Sequence, residues 1–168
     1  MDNRGVTLIE LLTGLAISAI LGLVAIPAFS TLIQQQQLRS AANDVLRILT
    51  SARATAITQQ NRISVWNQDG EWNQGVELFI DSNGNGQREP NETILSRPAD
   101  HPSVYISGNS KVANYVSYLP NGRAESASGA FQVGTIRLCK TGITEQYKIV
   151  ISIGGRLRLE KINSASCP

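Results

Sequence analysis

The chain has 168 residues, 42% of them apolar and only 17% charged, which suits one globular head with its own core plus appendages and excludes a disordered polyelectrolyte. The formal charge of +2 hides an uneven spread: 4 basic and 3 acidic residues in 1–57, 3 and 7 in 58–100, 8 and 3 in 101–168, so the middle is acidic and the last third basic. One histidine, His101, and two cysteines without a CxxC spacing argue against a zinc site and Cys/His catalysis, and with no Ser/His/Asp arrangement or glycine-rich phosphate loop the chain is not expected to be an enzyme or to carry a cofactor.

From Val6 to Ile26 the only ionisable group is Glu10, and a helix of that length rises about 30 Å, enough to span a bilayer. The preceding MDNRG is too short for a separate signal-peptide head and no A-x-A site follows, so the helix is expected to be retained. Arg4 places the short end in the cytoplasm and the remainder outside. A carboxylate in hydrocarbon costs a few kcal/mol, so Glu10 calls for a partner, a function or a route to the interface.

Gly5-Val6-Thr7-Leu8-Ile9-Glu10-Leu11 resembles the G-F-T-L-I-E-L motif of type IV prepilins and type II secretion pseudopilins. The resemblance implies cleavage between Gly5 and Val6 by a prepilin peptidase, so that 1–5 is a leader, and N-methylation of Val6, here in place of the usual phenylalanine. It also implies that Glu10 neutralises the amino-terminal charge of a neighbouring subunit during filament assembly. Two opposite charges meeting in low dielectric fit that role.

Pro27 is expected to kink or loosen the helix and to end the membrane and filament-core segment, 6–27. Helical periodicity then resumes over 28–57, where Leu38, Ala42, Val45, Leu46, Leu49, Ala52 and Ala56 form a stripe that needs a sheet to cover it. The other side holds Arg39, Asn43, Arg47 and Arg53, read as a solvated face in preference to a ligand site.

Beyond residue 58 the pattern changes to short β-rich runs between Gly/Asn/Pro/Asp clusters: Arg62–Trp66, Gly75–Ile80, Val104–Ser107, Tyr115–Leu119, Gln132–Cys139, Tyr147–Ile153 and Leu157–Ile162. The expected class is α+β, a long helix packed on an antiparallel β head spanning 58–168. The whole arrangement, with the WNQGVELFIDSNGNG, YLPNGR, IRLCK and GGRLR runs, resembles the FimT/FimU and GspH-like minor pilins and pseudopilins, and so implies a type IV pilin-like fold.

Asp81, Asn83, Asn85 and Glu92 fit the spacing that sets oxygen ligands around calcium, but the run before them reads as a strand where an EF-hand needs a helix, and the same residues suit a hairpin turn. Both readings stand from sequence alone, and no metal is assigned. Cys139 and Cys167 form one disulfide if the head faces an oxidising compartment, or remain two buried thiols.

Near the end, Ile149–Glu160 reads as two strands around a diglycine. Pairing Ile153 with Leu157 and Ile151 with Leu159 puts the apolar groups on one face and makes Gly154, Gly155 and Arg156 the loop. Arg156 and Arg158 then face solvent together in a basic segment that also holds Arg137, Lys140, Lys148 and Lys161, able to make several salt-sensitive phosphate contacts. The GRLR run resembles the G-R-x-R motif of FimT-type pilins, which implies a role for Gly155, Arg156 and Arg158 in binding double-stranded DNA for uptake in natural transformation. The plain alternative is a solvated strand or a contact between subunits, as in a structural minor pilin or secretion pseudopilin without DNA binding. Tyr147 is the nearest aromatic residue in sequence, so backbone binding is expected over base stacking. The implied partners are other pilin subunits, inner-membrane assembly machinery, the peptidase, the membrane and DNA. The implied location is the bacterial inner membrane, single pass with a periplasmic head, then a surface filament.

Overall fold

The computed structural model describes residues 7–68, 70–164 and 167, apart from the side chains at 24, 25, 27 and 28, so the Gly5/Val6 processing site lies outside the described residues. Helix α1, Leu8–Gln59, starts with a capping box: Thr7 Oγ1 accepts from the Glu10 amide at 3.4 Å while Glu10 Oε2 accepts from the Thr7 amide at 2.9 Å. It ends at Gln60, whose left-handed φ of 54° stops the ladder. The helix runs uninterrupted through position 27, since a proline removes one backbone donor and the turns on either side can hold their own.

The two halves of α1 have different surroundings. In the first, Leu8, Ile9, Leu12, Leu15, Ile20 and Leu23 are all exposed. Its polar side chains are satisfied locally: Thr7 Oγ1 donates to Glu10 Oε2, Thr13 Oγ1 to the Ile9 carbonyl and Ser18 Oγ to the Gly14 carbonyl, at 2.8–2.9 Å. Among the described residues no helix is long and apolar enough to cross a membrane. In the second half, Leu38, Ala42, Val45, Leu49, Ala52 and Ala56 are buried at helical spacing, with Leu46 packed beside them. The alanines let two sheets approach the helix axis closely.

One sheet contains β1 (Ile63–Asn67), β2 (Val76–Ile80), β3 (Ile94–Ser96) and β5 (Tyr115–Tyr118) in the order β3-β2-β1-β5. The other contains β4 (Tyr105–Gly108), β6 (Gly134–Cys139), β7 (Glu145–Ile151) and β8 (Leu157–Asn163) in the order β4-β6-β7-β8. All named pairings are antiparallel. Inward residues of both sheets, among them Ile63, Val65, Val116, Ile136, Leu138 and Ile149, join the helix stripe in one core, each contributing roughly 1.5–3 kcal/mol.

Two differences from the sequence reading have local causes. Strand β3 is additional: three residues between Glu92-Thr93 and Arg97-Pro98 leave no visible alternation, and only pairing with β2 defines it. The run expected to begin at Gln132 begins at Gly134, because buried Gln132 acts through its side chain. Its Oε1 accepts from the Ser117 amide at 2.8 Å and its Nε2 donates to the carbonyls of Lys111 and Tyr115, extending the edge of β5 without a strand.

Cys139, buried at the end of β6, and Cys167 form a disulfide across a separation of 28 residues, with Cα atoms 5.6 Å apart. The bond ties the segment after β8 back to the sheet.

Candidate nucleic-acid interface

The β7–β8 hairpin has a register two residues away from the expected one. Ile151 pairs with Leu157 and Ile149 with Leu159, and the Ser152 amide donates to the Arg156 carbonyl at 3.0 Å, so the loop is Ile153, Gly154 and Gly155. A three-residue hairpin loop needs its last residue left-handed; Gly155, at φ 71°, supplies that cheaply where Arg156 would be strained. Ile153 is 59% exposed at the tip as a consequence. Because the partner of each residue moves by two positions, the apolar face is kept.

Gly155 is also packed hard. An added Cβ would lie 2.3 Å from the Gly122 carbonyl oxygen and 3.1 Å from the Ala124 amide nitrogen. Arg53 of α1 clamps the same two turns: its Nε donates to the Gly122 carbonyl at 2.9 Å and its Nη2 to the Gly154 carbonyl at 3.3 Å. The expectation that Arg53 sits on a solvated face is therefore corrected. Arg39 and Arg47 do lie exposed, Arg47 paired with Asp44 at 2.6 Å. Helical spacing alone could not separate Arg53 from these, since its partners are distant turns. Burial pushes the phenol of Tyr118, which lies against Gly155, far above its ordinary value, with the Arg53 charge opposing.

Between α1 and the hairpin lies an open groove of about 700 Å³, lined by Thr50 and Arg53 from the helix and by Ser152, Arg156, Leu157 and Arg158 from the hairpin. Among the described residues no acidic side chain lines it. Arg156 and Arg158 are both exposed. Arg158 meets Glu160 at 2.6 Å, but this pair is solvated, its side chains 71% and 36% exposed, and such pairs are worth about 0–1 kcal/mol, little enough for a phosphate to displace.

The three lysines grouped with these arginines in sequence are placed differently. Lys148, opposite Glu160 across the β7–β8 ladder, shares the face of Arg158. Lys161 alternates to the other face and pairs with Glu145 at 2.8 Å, while Lys140 donates to the Ser103 carbonyl at 2.8 Å. Tyr147 is buried with its hydroxyl on Glu145 Oε1 at 2.7 Å, out of reach of a base, and burial followed by that bond raises its phenol.

The Lys161 hydrogen bond, then that of Tyr147, holds the Glu145 carboxyl below its ordinary value of 4.5. A carboxyl depressed in the folded state stabilises above its unfolded value and loses that contribution as pH falls through the folded one. The stability gap between the unmutated chain and Glu145→Gln should therefore narrow between about pH 5 and about pH 3, read from thermal melting; a constant gap would refute the assignment.

The Asp81–Glu92 loop is closed by its own hydrogen bonds. Asp81, buried, accepts from the amides of Gly84 at 2.7 Å and Gly86 at 3.0 Å and from Ser64 Oγ at 2.6 Å. Glu92 accepts from the amides of Ser82 and Glu89, and the side-chain amides of Asn83 and Asn85 both donate to Glu89. Among the described residues, no three His, Cys, Asp or Glu side chains gather to hold a metal ion.

The profile of a prokaryotic N-terminal methylation motif matches residues 1–26, and that of the family described as Type II transport protein GspH matches residues 41–155. No curated protein matches the chain. Among solved structures, the type IV minor pilin FimU of Pseudomonas aeruginosa is similar in two crystal forms. One shares 25% identity at a TM-score of 0.55 over 73% of this chain and 91% of that one; the other shares 24% at 0.57 over 75% and 90%. The minor pseudopilin EpsH from the Type 2 Secretion System of Vibrio cholerae shares 16% at 0.50, over 74% and 96%, a likeness of fold. These neighbours carry the same arrangement, a helix packed on antiparallel sheets, here in its pilin-like form. On the match over 41–155, which takes in Arg53 and most of the core and ends just before Arg156 and Arg158, the chain belongs to the GspH family of minor pilins and pseudopilins.

Proposed function

We propose that this chain is a minor pilin that joins a type IV filament and binds double-stranded DNA without sequence preference, for uptake in natural transformation. The observation that carries the DNA reading is the placement of Arg156 and Arg158, both exposed, on one groove, with only the solvated Glu160 paired to Arg158. Two guanidiniums beside a fixed turn suit non-bridging phosphate oxygens, and the buried Tyr147 leaves no stacking platform on β7.

The amino-terminal half supplies the anchor and the assembly element. In this reading a prepilin peptidase cuts after Gly5, Val6 becomes the N-methylated first residue, and 6–27 sits in the inner membrane with the head, 58–168, in the periplasm and 28–57 packed against it. The methylation motif over 1–26 supports this, as does the local satisfaction of Thr7, Thr13 and Ser18, which suits hydrocarbon surroundings. Glu10, which caps its own helix, exchanges that bond for the amino terminus of a neighbouring subunit on assembly. The chain acts as a structural subunit, not a catalyst.

The test is fluorescence anisotropy of labelled duplex DNA with the full chain in neutral detergent, across a salt series. Arg156→Ala/Arg158→Ala should remove most binding at about 0.1 M salt and flatten the slope of log K against log salt by about 2. Absence of duplex binding by the unmutated chain at low salt would leave a purely structural subunit, the secretion pseudopilin reading that the GspH match and EpsH favour, with the basic hairpin serving contacts between subunits.

A further inference from the structure

Of the described arginines on α1, only Arg53 lines the groove, and it does so with its guanidinium already oriented. Nε and Nη2 are held by two backbone carbonyls on separate turns, and Nη1 makes no hydrogen bond to a described residue. An arginine immobilised before its ligand arrives loses little further freedom on binding, and its remaining N–H groups stay available to an anion. Arg156 and Arg158 line the same groove from the hairpin.

We propose that Arg53 is a third phosphate-contacting residue, so that the DNA backbone is held between α1 and the hairpin and not on the hairpin alone. This rests on the DNA reading above and gives it a direction: the strand runs along the seam between helix and sheet. Arg53 thereby couples binding to the shape of the Gly154-Gly155 turn, because the carbonyls that orient it belong to that turn and to its neighbour at Gly122.

Four forms of the full chain in neutral detergent, unmutated, Arg53→Gln, Arg53→Lys and Arg156→Ala/Arg158→Ala, are titrated with labelled duplex DNA from about 0.05 to about 0.3 M salt. Arg53→Gln should weaken binding roughly tenfold at about 0.1 M salt and lower the salt slope by about 1, the mark of one lost phosphate contact. Arg53→Lys should keep the slope, since it keeps the charge, and lose part of the affinity, since an ammonium cannot bridge both carbonyls. If Arg53→Gln retains the full slope and affinity while the double variant loses them, the proposal falls and the DNA reading stands. Weakened binding at an unchanged slope in both Arg53 variants would make Arg53 a packing residue only and likewise overturn it. If the unmutated chain binds no duplex, both readings fall together.

Discussion

Gly155→Ala is expected to destabilise the head by about 3 kcal/mol, far beyond what one methyl group would suggest. The left-handed φ of 71° costs an alanine about 1 kcal/mol, and the new Cβ, 2.3 Å from the Gly122 carbonyl oxygen, meets backbone that cannot rotate aside, adding about 1–3 kcal/mol of overpacking. The adjacent Gly154 is the control: a Cβ there meets nothing within 4 Å, so Gly154→Ala should stay within about 0.5 kcal/mol of the unmutated chain. Urea denaturation of the two variants decides it. Equal midpoints would mean that the tip of the hairpin does not rest on the Gly122 turn. If Arg53 contacts phosphate as proposed, DNA affinity should fall with the first variant and not the second, since both carbonyls that hold Arg53 flank this contact.

Cys167→Ser should lower stability by a similar amount. Closing a loop of 28 residues restricts the unfolded chain by about 3.5 kcal/mol on the chain-entropy estimate, which at about 2–4 °C per kcal/mol is a fall of roughly 10 °C in Tm. Cys167 is the better site to change, because Cys139 is buried and a serine there would also strand a hydroxyl. Reduction of the unmutated protein should reproduce the variant's Tm. A shift of under about 1 °C in both would show that the tail adds no constraint on unfolding.

Much of this architecture was legible in the residues, for a physical reason. The stripe from Leu38 to Ala56 and the strand runs around Val65, Val116, Leu138 and Ile149 are readable because burial on one face imposes period 3.6 or 2 directly on the sequence. Features set by contacts between distant segments were not. Strand β3 exists only by pairing with β2, and Gln132 replaces a strand with an amide whose partners lie 15–21 residues away. The hairpin register differs from the expected one by two residues because apolar matching fits two registers equally, and the choice falls to which residue can be left-handed. Two signals were present and unread. Thr7-x-x-Glu10 is a capping box in plain sequence, and a Gly at the third loop position of a hairpin would have fixed the turn. Arg53 had no such signal.

Strand β8 is the last in its sheet, so it presents seven residues of backbone with no strand on its outer side. Arg158, Glu160 and Lys161 line it, with Arg156 just before. Charges on an open edge keep it from recruiting the edge of another molecule, which matters for a protein whose working state crowds like subunits together. The arginines proposed to contact phosphate thus also guard this end of the head against zipping into a continuous sheet. A hairpin evolved toward neutrality would lose its resistance to aggregation whatever else its charges do.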